Sequence, residues 1–320
     1  MSTMRAVVAE TTGEPSVLRL VETPAPVRVS AEFLIRVKAA GVNPIDAKTR
    51  AGRGASAAIE HWPVVLGYDF SGIVLESPYE SHPIKPGDEV YGMTMVPRTH
   101  GTYAELAAVP AMFVARKPRA LSHVEAAGVP LAALTAWGAV VDVGKAHEGQ
   151  RILIHAGAGG VGHFAVQFAR FFGAHVIATG STRNLGWLRE LGAHEVVDYS
   201  AVRFEEAVAP VDTVIDLIGN VHDETGSRSL RVLKPGGLIV NVPTGSWRGF
   251  AEEVAAAGVR GTGYRVSPDG TTLSVISRLI DSGDVRVYVD QVFDLAEAAA
   301  AHEALETGHT RGKIVLRVAD

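Results

Sequence analysis

The sequence predicts an α/β protein in which a β-rich domain is followed by a doubly wound parallel sheet and then by a mixed closing stretch. Three observations lead there. The first ~120 residues break into short strands separated by turn signals, the pattern then changes to strand, helix, strand, and a closing stretch reads helix, strand, helix, strand. The 320 residues, 47% hydrophobic and 20% charged, are long enough for two domains with separate cores.

The first domain is read from "RAVVAE", "VLRLVE", "FLIRVKAAGV", "SGIVLES", "DEVYGM" and "TYAELAAV", with "KPGDE" and several prolines as punctuation. From about Gln150 follow "RILIHA", a helix from about Gly160, then "HVIATG", "WLRELG", "EVVDY", "FEEAVA", "VDTVIDLIG", "SLRVLKPGG" and "LIVNV". A sixth strand is expected near "GVRGTGYRV", completing the count of a dinucleotide-binding sheet. The tail, "TTLSVISRLIDSG", "VRVYVDQVF", "DLAEAAAAHEALETG" and "GKIVLRV", is taken as returning to the first domain. The expected boundaries are therefore 1–123 with 267–320 for one domain and 124–266 for the other. No internal repeat is visible, and the alanine run in "AEAAAAHEAL" reads as helical scaffold.

Thirty Lys and Arg stand against 35 Asp and Glu, a formal charge of -5, so no basic excess points to nucleic acid or acidic membranes. No long apolar run forms before Glu10, which argues against a secretory signal. The apolar stretch Ala126 to Val141 is interrupted by Gly128, Pro130 and Gly138 and is shorter than the roughly 18 residues of a membrane span. A soluble cytoplasmic protein is expected, with no membrane partner. The absence of cysteine removes thiolate nucleophiles, disulfides and Cys-ligated zinc together.

Gly157, Gly159 and Gly162 spell G-x-G-x-x-G between a strand and a helix. The expected roles are a tight turn at Gly157, backbone approach to a pyrophosphate at Gly159, and close helix packing at Gly162. Gly160 and Val161 complete the phosphate-facing turn, and the helix N-terminus offers free N–H groups to the phosphates. A P-loop would continue with Lys and Ser or Thr, where this chain has His163 and Phe164. At the end of the second strand an acid would take the ribose hydroxyls of NAD, but Gly180 and Ser181 stand there and Arg183 follows. That combination favours NADP(H), with Arg183 as a forked donor to a 2′-phosphate. Taken alone, Arg183 also has a plainer reading, a solvated first-turn side chain.

In order, "GVNPIDAKTRAG", "VLGYDFSGIV", "KPGDEVYG", "GTYAELAAVP", "LTAW", "HAGAGGVGHFAVQFAR" and "RGKIVLRV" resemble the medium-chain dehydrogenase/reductase superfamily, and most closely its zinc-independent quinone oxidoreductase branch. The resemblance implies a Rossmann-type sheet inserted into a GroES-like β-barrel domain, with the active site in the cleft. Zinc-dependent relatives place a cysteine near Asn43 and a His-Glu pair near Tyr68 and Asp69, and none of those ligands occurs here; no metal is expected. The implied chemistry is hydride transfer from NADPH to a quinone or other small α,β-unsaturated carbonyl. By the same resemblance Asn43 lies near the nicotinamide ribose and substrate carbonyl, Thr135 lines the nicotinamide pocket, and Tyr199 borders the adenosine phosphate. Ser181 and Arg183 complete the cofactor set, and Asn43, Lys48 and Tyr68 are the catalytic candidates. Asp46 reads as a helix cap.

One departure matters. Several quinone and enoyl-thioester reductases carry a tyrosine in G-x-Y where this chain has Gly52, Arg53 and Gly54, and Lys48 stands where some have a second tyrosine. Tyr68 is the remaining candidate donor, with a packed aromatic as its plain alternative. Rival readings are an enoyl or alkene reductase and a module that binds NADPH without turnover. Serine hydrolysis fails on spacing, because Ser246 directly follows Gly245 in "TGSWRG". A homodimer paired through the region Gly261 to Val266 is inherited from the resemblance. Substrate-pocket loops are expected at Arg50 to His61 and Trp247 to Phe250, with Arg53 and Trp62 hinting at a polar-plus-aromatic acceptor.

Overall fold

A computed structural model describes residues 2–319. The chain divides into two compact units, Met1–Leu134 with Ser267–Asp320, and Thr135–Val266. The first boundary thus falls after Leu134 rather than after residue 123. The helix His123–Ala127 packs on strands of the first unit and belongs with it, and the helix Pro130–Trp137 contains the boundary.

In the second unit six parallel strands lie in the order Glu195–Asp198, His175–Gly180, Arg151–Ile154, Val211–Asp216, Leu233–Asn241, Arg260–Gly263. Ile177, Leu153, Val214 and Ile239 stand in one register row, all fully buried. Such apolar runs suit a parallel sheet covered on both faces. The strand order reverses between Arg151–Ile154 and Val211–Asp216, and the glycine turn leaves the first of these at its carboxyl end, where open α/β sheets bind ligands. The helix after the turn is Gly162–Phe171, starting two residues later than its sequence suggests because the preceding residues form the turn itself. The expected sixth strand is Arg260–Gly263.

In the first unit the strand Glu32–Val42 is the hub. It pairs antiparallel with Asp69–Glu76, Leu106–Pro110 and Lys313–Arg317. The tail therefore returns to this unit, and its register sets Ile314 opposite Val42. That pairing carries Lys313 to the edge of the Asn43 turn.

Candidate functional site

The glycine turn is braced from the second strand. Ala156 N–H donates to Thr179 Oγ1 at 3.2 Å and Gly157 N–H to the Thr179 carbonyl at 3.0 Å. His155, buried beneath, bonds Thr179 Oγ1 at 3.2 Å and Ser229 Oγ at 2.9 Å, and burial pulls its imidazole down to about 4. The three glycines do different jobs. Ala156, not Gly157, takes the left-handed backbone, with φ of 49°. Gly157 is small because a Cβ would meet Ala178 Cβ and Leu188 Cδ2 at 3.0 Å, and at Gly162 a Cβ would stand 2.1 Å from the Ala156 carbonyl oxygen. Gly159 is different, since its nearest neighbour would be 3.4 Å away. The space beside it is open to a ligand. No turn or cap hydrogen bond uses the N–H groups of Gly160, Val161 or Gly162, so three donors remain at a helix N-terminus for phosphate oxygens. The residues present fit a dinucleotide pyrophosphate.

At the second-strand end, a Cβ on Gly180 would meet Leu188 Cδ1 at 2.7 Å. An acid at this position would have to displace that leucine, and Ser181 and Arg183 follow Gly180 along the chain. An acid does stand one strand over, Asp198, in register with Gly180. Its carboxylate accepts from Ser200 and Thr182, and these bonds, Ser200's foremost, hold its pKa below the usual carboxylate range. Tyr199 beside it is exposed. Arg183 lies in the short turn Thr182–Asn184 that follows Ser181.

The first unit holds a buried polar cluster. Asn43 caps the helix Pro44–Arg50, its Nδ2 donating to Asp69 Oδ2 at 2.9 Å and its Oδ1 accepting from Lys313 Nζ. Lys313 also donates to the Val42 carbonyl at 3.1 Å and reaches Asp69 Oδ2 at 3.5 Å, while Asp69 Oδ1 accepts from Leu131 N–H at 2.7 Å. Burial lowers the lysine pKa and raises that of Asp69, and each opposes the other's shift. Asp69 and Lys313 were not singled out from the sequence, although both sit inside its family-like segments. The available signal was a lysine opening the apolar run "KIVL". This set does not fit zinc, because no cysteine or paired histidine is present and Asp69 is committed to an ammonium. Among the described residues no group of three or more His, Cys, Asp or Glu is arranged to hold a metal ion. Among them, too, no helix is long and apolar enough to cross a membrane.

Asp46 does more than a surface cap. Fully buried, it accepts from Asn43 N–H at 2.9 Å and Gly67 N–H at 3.1 Å, and burial raises its carboxyl from 3.8 to about 7. Between those values the native state keeps a proton that the unfolded chain has released, so ionisation of Asp46 subtracts stability as pH rises. We expect the urea stability of the wild type relative to Asp46→Asn to fall between about pH 4 and pH 7, by on the order of 4 kcal/mol. A difference that stays flat over this window contradicts the assignment.

The other candidates are less concentrated. Tyr68 is buried and donates its hydroxyl to the Val96 carbonyl at 2.9 Å; burial, with Asp46 nearby, raises its pKa. Lys48 is half-buried on the Asn43 helix, and burial followed by the Arg53 charge lowers its ammonium pKa. Thr135 is buried in the helix Pro130–Trp137. Gly54, where relatives carry the G-x-Y tyrosine, has φ of 53°, and a Cβ there would lie 2.9 Å from Thr49 Oγ1 and Ile45 Cδ1. A side chain at this position would be strained by the left-handed backbone and crowded by two neighbouring side chains.

Two family models match, the alcohol dehydrogenase GroES-like domain over residues 30–119 and the zinc-binding dehydrogenase over residues 191–316. The chain is 33% identical to the mitochondrial NAD(P)H oxidoreductase RTN4IP1 of Danio rerio, over 98% of this chain and 91% of that protein. It is 35% identical to a chloroplastic NADPH-dependent alkenal/one oxidoreductase of Arabidopsis thaliana, over 89% and 72% of the two chains. The solved structure of the quinone oxidoreductase from Coxiella burnetii superposes with a TM-score of 0.93 at 39% identity, covering 99% of this chain and all of that one. With the glycine turn, the six-stranded parallel sheet and the GroES-like domain, these matches make the chain a member of the medium-chain dehydrogenase/reductase superfamily, in its quinone oxidoreductase branch.

Proposed function

We propose that this oxidoreductase uses NADPH to reduce quinones. The observation that carries the choice of acceptor is that neither candidate position offers a poised acid: the Tyr68 hydroxyl donates its hydrogen bond to a backbone carbonyl, and Gly54 carries no side chain. A quinone tolerates that, because its reduced form takes protons from water. When bound, NADPH supplies the hydride from its dihydronicotinamide ring. The chain supplies phosphate donors at Gly160, Val161 and Gly162, and an amide donor at Asn43 for an oxygen that gains charge. The quinone oxidoreductase of Coxiella burnetii and the alkenal/one oxidoreductase of Arabidopsis thaliana support a conjugated carbonyl acceptor.

The test is anaerobic single-turnover oxidation of NADPH, with NADH alongside, against quinones, 2-enones and enoyl thioesters. Fast oxidation by quinones with NADPH preferred is the expected result. A second reading, enone reduction, is favoured by Lys48, whose half-buried ammonium has a lowered pKa and so gives up a proton more readily. Oxidation by enones alone, lost in Lys48→Met, selects it. Binding of NADPH with no acceptor reduced leaves the non-catalytic module.

Cofactor preference gives a sharper measurement. Arg183→Ala is expected to weaken NADPH binding by roughly 10- to 100-fold, the worth of a charged hydrogen bond, and to leave NADH binding unchanged. Equal losses for both cofactors would place Arg183 away from the 2′-phosphate. The same reading includes a homodimer paired through the exposed strand Arg260–Gly263, which has a partner strand in its sheet on one side only. Light scattering is expected to return twice the chain mass for the wild type, and a monomer for Gly263→Pro, which removes an edge donor, since Tyr264 N–H is spent inward on the Asn241 carbonyl and Gly263 N–H therefore faces the open side.

A further inference from the structure

Asn43 can offer a ligand either an oxygen lone pair or an N–H, and Lys313 decides which. The three N–H bonds of the Lys313 ammonium point to three acceptors, the Val42 carbonyl, Asn43 Oδ1 and Asp69 Oδ2. Asp69 is held in turn, with Leu131 N–H on Oδ1 and Asn43 Nδ2 on Oδ2. A reversed Asn43 amide would set its NH2 against the ammonium and its oxygen against the carboxylate, two repulsive contacts among largely buried side chains. One Nδ2 hydrogen is spent on Asp69. The second has no acceptor among the described residues.

We propose that Lys313 is a positioning residue that sets the polarity of Asn43, committing the amide oxygen inward and leaving one N–H as the only group Asn43 presents to a bound acceptor oxygen. Ligands that bring a carbonyl, an ether or an oxyanion are accepted at this point, and ligands that bring a donor are refused. The inference deepens the reductase reading and rests on it for the identity of the oxygen. The orientation itself rests only on the cluster.

Two measurements test it. In the wild type, the side-chain amide of Asn43, assigned in 15N–1H spectra by its loss in Asn43→Ala, is expected to show one slowly exchanging proton and one fast. A quinone added with NADP+, between which no hydride can pass, is expected to shift the fast proton alone. Two protons that exchange alike, or a shift confined to the slow one, would overturn the proposal without any variant having to fold. Second, single-turnover NADPH oxidation is compared for Lys313→Met, Asn43→Ala, their combination, and Lys313→Met/Asp69→Asn, which removes the buried charges as a pair. At least a tenfold loss is expected in each, and the Lys313/Asn43 combination should be no slower than its worse single member. Losses that multiply, or a paired-charge variant that turns over at the wild-type rate, would sink it. If the wild type oxidises no NADPH with any acceptor, the reductase reading fails, while the exchange of the two amide protons still decides the polarity of Asn43.

Discussion

Gly162→Ala is expected to destabilise the second unit and to abolish NADPH binding, whereas Gly159→Ala should melt like the wild type and still bind poorly. At Gly162 a methyl would lie 2.1 Å from the Ala156 carbonyl oxygen and 2.8 Å from Gly157 backbone. Backbone on both sides cannot yield as a side chain can, so the start of the helix must lift off the turn. Overpacking of this kind costs about 3 kcal/mol, which lowers Tm by roughly 6–12 °C in a domain of this size. At Gly159 the new methyl meets nothing closer than 3.4 Å. It stands instead in the space beside three unspent N–H donors, so its expected effect is at least a tenfold loss of affinity, about 1.4 kcal/mol or more. A thermal melt paired with a fluorescence titration of NADPH separates the two. Wild-type affinity in Gly159→Ala would remove the pyrophosphate from this turn.

Asp69→Ala should be the most damaging single change in the first unit. It strips the acceptor from Leu131 N–H and Asn43 Nδ2 and leaves the Lys313 ammonium, 3% exposed, without its carboxylate. Breaking one side of a buried ion pair typically costs about 3–5 kcal/mol, while replacing both partners with apolar groups is often close to neutral. The expected Tm loss is therefore roughly 10 °C for Asp69→Ala, and Asp69→Ala/Lys313→Met should recover part of it. A double variant as unstable as the sum of its singles would mean that the two charges do not stabilise one another.

Much of the cofactor unit could be read from residues adjacent in the chain. The apolar runs around Leu153, Ile177, Val214 and Ile239 announce strands because a parallel sheet buries both faces. The order of turn, helix and Ser181 with Arg183 follows from spacing alone. The detail inside the turn did not follow. That Ala156 rather than Gly157 carries the left-handed backbone, and that Gly180 lies against Leu188, depends on neighbours no local pattern names. In the first unit Asn43 was legible as a motif residue and Tyr68 as a hydroxyl, but the state of that hydroxyl, spent on the Val96 carbonyl, was not.

By itself the sequence determined what depends on short-range sterics and periodicity: a β-rich stretch, strands alternating with helices, a glycine turn between strand and helix, and a chain with no thiol to use, while the return of the tail to the first unit was implied by the family resemblance and not by periodicity. Tertiary structure alone decided the cluster around Asn43. Lys313 lies 270 residues from Asn43 and 244 from Asp69, and reaches them because the strand Lys313–Arg317 pairs with Ala39–Val42 in one register. A slip of a single residue would turn that lysine to the opposite face of the sheet. Register of this kind is the sum of many packing contacts along both strands, so no stretch of chain encodes it locally, and a buried polar residue shows its partner only after the strands have met.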